Sequence, residues 1–183
     1  MDSTRIETER LVLRDWREED WAPFFEGTNT EAVMRWLGGV MDSDKMTWQR
    51  ARLENYAANY GHTFWPIERK QDGAILGFCG LKRSNQAGGP QGDFEVGWRL
   101  RQDVWGHGFA KEAALASLEH AFSLRDAPHV LALTVAGNTP SRGLMERLGM
   151  ARRSDLDFDS AEFDAEGRII VYAMTRQAWI ARR

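Results

Sequence analysis

The chain has 183 residues, of which 43% are apolar and 28% charged, with a formal net charge of −3. That length suits one domain with a substantial core, and the acidic balance argues against nucleic acid as the main partner, which calls for a basic face. No apolar run approaches the roughly 20 residues of a membrane span, the opening MDSTRIETER has no secretory pattern, and the one cysteine, Cys79, allows no internal disulfide; the expectation is a cytoplasmic protein with no membrane partner.

In chain order, Leu11, Val12 and Leu13 begin a strand ending near Trp16. Residues 18–27 read as a helix with Trp21, Phe24 and Phe25 on one side. Thr28 or Asn29 caps a second helix, which carries Ala32, Val33, Trp36 and Leu37 and stops at Gly38-Gly39. Asp42 or Ser43 starts a longer helix with a stripe of Met46, Leu53, Tyr56, Ala57 and Tyr60, ended by Gly61. Residues 63–69 spell a strand in which Pro66 lacks a donor, pointing to an edge or a bulge. Asp72-Gly73 is a hairpin turn, residues 74–81 return, and NQAGGPQG over 85–92 is a loop.

The stretch from Asp93 to Leu124 organises the rest. Phe94, Val96, Trp98 and Leu100 alternate with Asp93, Glu95, Gly97 and Arg99, the period of a strand. Gly106, His107 and Gly108 break that pattern, and Ala110, Ala114, Leu115, Leu118, Ala121 and Phe122 then recur at helical spacing. The first N–H groups of such a helix lack intrahelical partners, and its dipole favours an anion. Two readings follow: a phosphate cradle, or a tight turn whose glycines serve only the backbone. After the breaker Ala127-Pro128, residues 130–135 form a short apolar strand. Thr139 or Asn138 caps a helix with Pro140 in its first turn, running through Leu144, Met145 and Leu148 to Gly149. Residues 155–168 are acidic and irregular, 169–174 form the last clear strand, and a short tail surrounds Trp179. Hairpins mixed with crossover helices imply an α/β fold on a mixed sheet. No repeat or linker divides the chain, so a single domain over 1–183, with a core of about 5–179, is expected.

Several motifs together resemble the GNAT N-acetyltransferases, and within them the RimJ/RimL-type branch. Trp105-Gly106-His107-Gly108-Phe109-Ala110 resembles the acyl-CoA pyrophosphate loop. ETERLVLRDW (7–16) is similar to the branch's first strand, Phe94 to Trp98 to its Glu-Ile-Gly-Tyr/Trp strand, and Asn138 to Ser141 with Leu144 to Met150 to its Asn-x-x-Ser … Leu-Gly-Phe helix. The resemblance implies a twisted mixed sheet whose splayed central parallel strands, here 93–101 and 130–135, form an acyl-CoA wedge. It implies acetyl-CoA as co-substrate: main-chain groups of Trp98 and Leu100 on the pantetheine, the N–H groups from Trp105 to Ala110 on the pyrophosphate, and Asn138 on the cofactor arm. Homodimers are frequent in the family, but no motif here demands one.

Acetyl transfer needs a neutral amine, a donor for the thioester oxygen and relief of the leaving thiolate. Glu95 is the candidate base, acting through water, with binding of the acceptor ammonium and then a structural role as the alternatives. Ser141 is the candidate for the thiol end, against a serine that only bonds its own helix turn. Many family members carry a tyrosine acid where this chain has Met145, which cannot donate a proton. His107 touches phosphate or faces solvent; His62, His120 and His129 show no metal-ligand spacing, His120 reads as a surface residue, and Cys79 reads as inert core. Of the eight tryptophans most should be core, with Trp36 the one expected to reach the acceptor cleft. The acidic 155–166 segment either attracts a cationic acceptor or is a solvated loop. The leading expectation is an acetyl-CoA-dependent N-acetyltransferase acting on a protein or peptide α-amine or a small amine. The alternative is a non-catalytic acyl-CoA-binding sensor or scaffold. A nucleotide-dependent kinase is disfavoured, since no Gly-Lys-Ser/Thr follows the loop.

Overall fold

The computed structural model describes residues 4–160 and 167–182. Among them, β1 (Arg5–Glu7), β2 (Leu11–Arg14), β3 (Phe64–Arg69), β4 (Ile75–Arg83), β5 (Phe94–Leu100), β6 (His129–Val135), β7 (Ala151–Arg152), β8 (Phe158–Asp159) and β9 (Arg168–Thr175) build one sheet. Its order is β1-β2-β3-β4-β5-β6-β9-β7, with β8 also paired to β9. The β5–β6 pair is parallel and the others antiparallel. The helices are α1 (Trp21–Thr28), α2 (Glu31–Met34), α3 (Ser43–Tyr60), α4 (Phe109–Leu124), α5 (Thr139–Arg147) and α6 (Arg176–Ile180). The expected mixed sheet is thus present.

The sheet is apolar on both faces. On one, α4 brings Ala113, Ala114, Leu118, Ala121 and Phe122 against Leu11, Leu13, Trp65, Leu76, Leu81, Phe94 and Val96. The alanines let the helix approach closely, and each fully buried leucine or phenylalanine contributes about 1.5–3 kcal/mol. On the other face Trp21, Phe24, Leu53, Phe64, Ile75 and Phe78 form a second core under α1 and α3. That second layer buries Glu95 and Arg99 as well, so β5 is covered on both sides.

Caps define the helices. The Thr30 side chain accepts from the N–H of Val33, so α2 starts one or two residues later than the caps expected from Thr28 or Asn29. The Asp42 side chain accepts from the N–H of Lys45, and Gly61 closes α3 at φ +64°. Of the stripe expected on α3, Leu53 is buried but Tyr60 is exposed. The helix turns Lys45, Trp48, Gln49 and Arg52 to a cavity instead of a core. Pro66 lies inside the sheet, not at an edge: pairing with β2 stops at Leu13↔Ile67, one residue before it. A bulge lies next to it, since β4 carries the extra residue Leu76 between the pairs Ile67↔Gly77 and Glu68↔Ile75.

Candidate active site

The site begins where β5 and β6 part. They pair at Phe94↔Val130 and Glu95↔Leu131, although β5 runs on to Leu100 and β6 to Val135. On the other side, Ser84 N donates to Asp93 O and Arg101 N to Leu76 O, each at 2.8 Å. Hydrogen-bonded residues alternate along an antiparallel ladder, so the main-chain groups of Trp98 and Leu100 turn away from β4 and towards the gap. The Leu100 carbonyl accepts from the Trp105 indole N–H at 2.9 Å. A cavity of about 1230 Å³ occupies the gap and extends beneath α2 and α3.

The glycine-rich turn stands at one mouth of this cavity. Gly106 and Gly108 have φ of +79° and +82°, a conformation other residues resist. A Cβ built on Gly106 would meet nothing within 4 Å, so the space beside that backbone is open. Gly108 leads directly into α4. The turn is held from behind by Arg10, a residue that sequence reading missed because it stands about a hundred positions away. Arg10 Nη1 donates to His107 O at 3.0 Å, its Nε to Glu112 Oε2 at 2.7 Å, and its guanidinium lies 4.3 Å over the Phe109 ring. Burial alone would raise the Glu112 carboxyl, but donors from Thr8 and Arg10 outweigh it and hold it below the usual range. His107 is exposed, with Nδ1 2.9 Å from Trp105 O. Ala110 and Phe109 line the cavity beside it.

Deeper in, Glu95 is buried opposite Lys82 on β4. Lys82 Nζ lies 3.2 Å from Glu95 Oε2, and Gln86 Nε2 donates to the same oxygen at 3.3 Å. Both of these contacts fall on Oε2, and the Glu95 side chain lines the cavity. Neither Lys82 nor Gln86 was singled out from sequence; their cross-strand and loop proximity has no local signature.

Across the gap, the Asn138 side chain caps α5 by accepting from Ser141 N at 3.3 Å. The Ser141 hydroxyl oxygen accepts from the Trp98 indole N–H at 3.3 Å, so it does not spend itself on its own helix turn. Met145 is buried in the cavity wall, and none of Tyr56, Tyr60 and Tyr172 lines the cavity. Trp36 does line it, its ring packed where a Cβ on Gly137 would come within 2.9 Å. Trp48, Trp98 and Trp105 line it as well, whereas Trp21 and Trp65 are core.

Cys79 is fully buried and burial pushes its thiol up to about 12, with Ser117 as a minor opposing contact, as befits an inert core residue. His120 is not a free surface residue: it is half-buried, edge-on to Trp65 at 5.2 Å, because α4 lies flat on the sheet. In the acidic segment Asp155 pairs with Arg153 and Asp157 with Arg152, and neither lines the cavity. Its residues 161–166 lie outside the described residues. Among the described residues no cluster of three or more His, Cys, Asp or Glu is placed to hold a metal ion, and no helix is long and apolar enough to cross a membrane.

Residues 10–151 match the family model described as acetyltransferase (GNAT) domain. The uncharacterized protein YkkB of Bacillus subtilis (strain 168) is 32% identical over 149 residues, covering 80% of this chain and 85% of that one. The uncharacterized N-acetyltransferase YnaD of the same organism is 27% identical over 148 residues, 80% and 82% of the two chains. Among solved structures, an acetyltransferase from Agrobacterium tumefaciens superposes with a TM-score of 0.81 at 22% identity, covering 95% of both chains. The ribosomal-protein-S5-alanine acetyltransferase of Vibrio fischeri superposes at 0.75 with 16% identity, over 96% and 98%. With the splayed parallel pair, the glycine turn and this match over most of its length, the chain belongs to the GNAT family of acetyltransferases and is an enzyme of that class.

Proposed function

We propose that the protein is a single-domain, cytoplasmic, acetyl-CoA-dependent N-acetyltransferase of RimJ/RimL type, transferring acetyl to a primary amine by direct attack in a ternary complex. One observation carries the reading: a single cavity joins the glycine turn, the β5–β6 gap, Glu95 and Ser141. The residues fit the donor. The open space at Gly106 and the start of α4 suit a pyrophosphate, and the outward main-chain groups of Trp98 and Leu100 suit the amides of a pantetheine arm. Asn138 stands at the far wall, and His107, being exposed, is a peripheral phosphate contact. Bound acetyl-CoA would supply an activated acetyl thioester.

The chain supplies the rest. The Glu95 carboxylate, through a water, takes the proton that the acceptor amine must shed. Lys82 and Gln86 hold the carboxylate in position through Oε2. The Ser141 hydroxyl, polarised by the Trp98 N–H on its oxygen, donates its proton towards the sulfur end. Trp36 forms the apolar wall against the acceptor. The RimJ/RimL assignment rests on the Trp105–Ala110 loop and the Asn138–Ser141 helix start.

Calorimetric titration with acetyl-CoA, CoA and ATP is the first test. Saturable binding of both CoA species and none of ATP is expected; no CoA binding near millimolar concentration overturns the reading. The buried Met145 keeps the non-catalytic acyl-CoA module in view. Glu95→Gln decides between them: an enzyme loses turnover, on the order of 100-fold for a lost general base, with acetyl-CoA affinity retained. Absence of turnover in the wild type on every amine screened leaves the binding module.

A further inference from the structure

Arg99 is the residue the proposed chemistry leaves unused. It lies on β5, two alternations from Glu95, so both side chains leave the same face of the strand. It is 4% exposed and lines the cavity. Its Nη2 donates to Gln49 Oε1 at 2.8 Å, its Nη1 faces the Met34 sulfur at 3.4 Å, and its guanidinium lies 4.8 and 4.9 Å from the Phe24 and Phe78 ring centres. The Nε–H is sealed from solvent and has no hydrogen-bond partner. Among the described residues no carboxylate forms a salt bridge with it.

A buried guanidinium without an anion is costly, and one with an orphaned Nε–H is costlier. Desolvation, with a smaller contribution from nearby Arg52, pushes Arg99 down to about 9, so it is still charged at neutral pH. The surroundings do not balance it. Glu95 is the only acidic residue among the described residues lining the cavity, and Lys82 already neutralises it. Lys45 and Arg52 line the same end, with Arg52 stacked over Trp48 at 5.2 Å. In a chain of net charge −3 this pocket is a local excess of positive charge. The cations beside the glycine turn have phosphates to meet in the proposed cofactor; those at the Arg99 end do not.

We propose that Arg99 receives a carboxylate of the acceptor, so that the substrate is a small amine carrying a carboxylate, of the amino-acid class, anchored at Arg99 while its amine faces the Glu95 side. Within the two acceptor classes of the proposed function, on which this inference rests, it selects the small molecule over a protein N-terminus. The planar fork of an arginine matches a carboxylate in two parallel hydrogen bonds. Nη2 supplies one donor by releasing Gln49, and the sealed Nε–H on the same edge of the guanidinium supplies the second once the carboxylate takes the place of Gln49. The apolar wall of Trp36, Met34 and Phe64 would hold the carbon skeleton between the two charged ends.

The test pairs amino acids with their amides. ω-Amino acids of rising chain length and α-amino acids with apolar side chains are compared with the matching carboxamides, following thiol release from acetyl-CoA. The expected result is a preference for the acid of 100-fold or more in kcat/KM at the best length, carried mainly by KM. Arg99→Gln should bring acid and amide to within a few-fold of each other, with acetyl-CoA affinity kept. Arg99→Lys, which keeps charge but not the fork, should recover part of the preference. Equal use of acid and amide by the wild type, or an unchanged ratio in Arg99→Gln, overturns the inference while leaving the acetyltransferase standing. A second readout needs neither turnover nor a variant: the Nε–H proton resonance of Arg99 should shift on titration with the acid and stay fixed with the amide. A resonance fixed against both overturns the inference. A failure of acetyl-CoA to bind is a failure of the proposed function alone, since this resonance reads the carboxylate site without the donor.

Discussion

The Trp98 indole N–H donates to the Ser141 hydroxyl oxygen over 3.3 Å, bridging β5 to α5 across the gap between the parting strands. The bond fills an acceptor site on the serine and leaves its proton free to donate. Ser141→Ala is expected to lower kcat by about 100-fold, the lower end of what a positioned proton donor supplies, with acetyl-CoA affinity changed far less. Trp98→Phe keeps the hydroxyl but removes the bond, worth about 1 kcal/mol, and should lower kcat by roughly 5-fold. Steady-state kinetics beside calorimetry separate the two effects. Should Ser141→Ala weaken acetyl-CoA binding and spare kcat, the serine is a binding group only.

The glycine turn gives a graded pair of variants. A side chain at Gly108 meets two obstacles: its φ of +82° and the approach of Arg10, 3.4 Å from a built Cβ. Gly108→Val should therefore weaken acetyl-CoA binding by at least 10-fold, since β-branched residues resist positive φ and the first N–H of α4 is displaced. Arg10→Ala leaves the turn's own backbone intact but frees His107 O and Glu112, and a loss of roughly 3-fold is expected for a preorganising contact of about 0.5–1 kcal/mol. Equal affinities in all three proteins would remove the cradle from the cofactor site.

How much of this was readable beforehand follows from the range of each interaction. The strand–turn–helix over 93–124 was legible because its signals are local: a period of two, two glycines, then a helical period. The caps at Asp42 and Asn138 and the αL glycine at 61 were legible for the same reason. Strands β7 and β8, two residues each, are too short to carry a period. Of the two readings of Pro66, the bulge is found beside it, whereas the edge is not, because an edge is a property of the sheet and not of the proline. Within the site, Glu95, Trp98 and Ser141 stood out by motif, while Lys82, Gln86, Arg10 and Arg99 did not. Their importance comes from partners, or the lack of one, set by the register of β4 on β5 and by helices from the far end of the sequence. Arg99 in particular read as the polar half of an alternating strand. Its burial depends on the second apolar layer of Phe24 and Phe78; the apolar face of the 21–28 helix was legible, but its packing over β5 has no local signature.

That second layer is anchored by ions. Arg14 Nη1 and Nη2 reach the two oxygens of Asp20 at 2.7 and 2.9 Å, and its Nε reaches Glu68 at 2.7 Å. Arg14 and Asp20 are buried, and the hydrogen bonds that Arg14 donates to Asp20, opposed by desolvation, raise the guanidinium above its ordinary range. Asp20 also accepts from Arg17 N at 2.7 Å, which fixes the entry to α1. Asp20→Ala leaves a buried guanidinium with half its partners and should cost about 3 kcal/mol, near the lower end for breaking a buried pair because Glu68 remains. Denaturant titration measures it. A change below about 1 kcal/mol would mean that water enters and replaces the carboxylate.

Acid should weaken the fold before its carboxylates protonate. His120 accepts from Arg125 Nε at 3.4 Å through Nε2, which requires the neutral ring. Desolvation, then the charges of Arg125 and His62, lowers it from 6.5 to about 4. His62, buried with Nδ1 2.9 Å from Leu81 O, is also lowered, chiefly by desolvation. A histidine with a depressed folded pKa takes its proton more readily in the unfolded chain. Its contribution is therefore intact above the unfolded value of 6.5 and is lost as pH falls towards the folded value. Because His120 is only half-buried, about 1 kcal/mol is the expected loss at pH 5 once solvent screening is allowed for, or about 2–4 °C in Tm. The window from pH 6.5 to 5 separates the two histidines from the depressed carboxylates of Glu112 and Asp157, which release their stabilisation only at lower pH. His120→Gln should reduce the slope of Tm across that window, leaving the part due to His62 and the fall below pH 4.5 in place; an unchanged slope would assign the acid sensitivity to other groups.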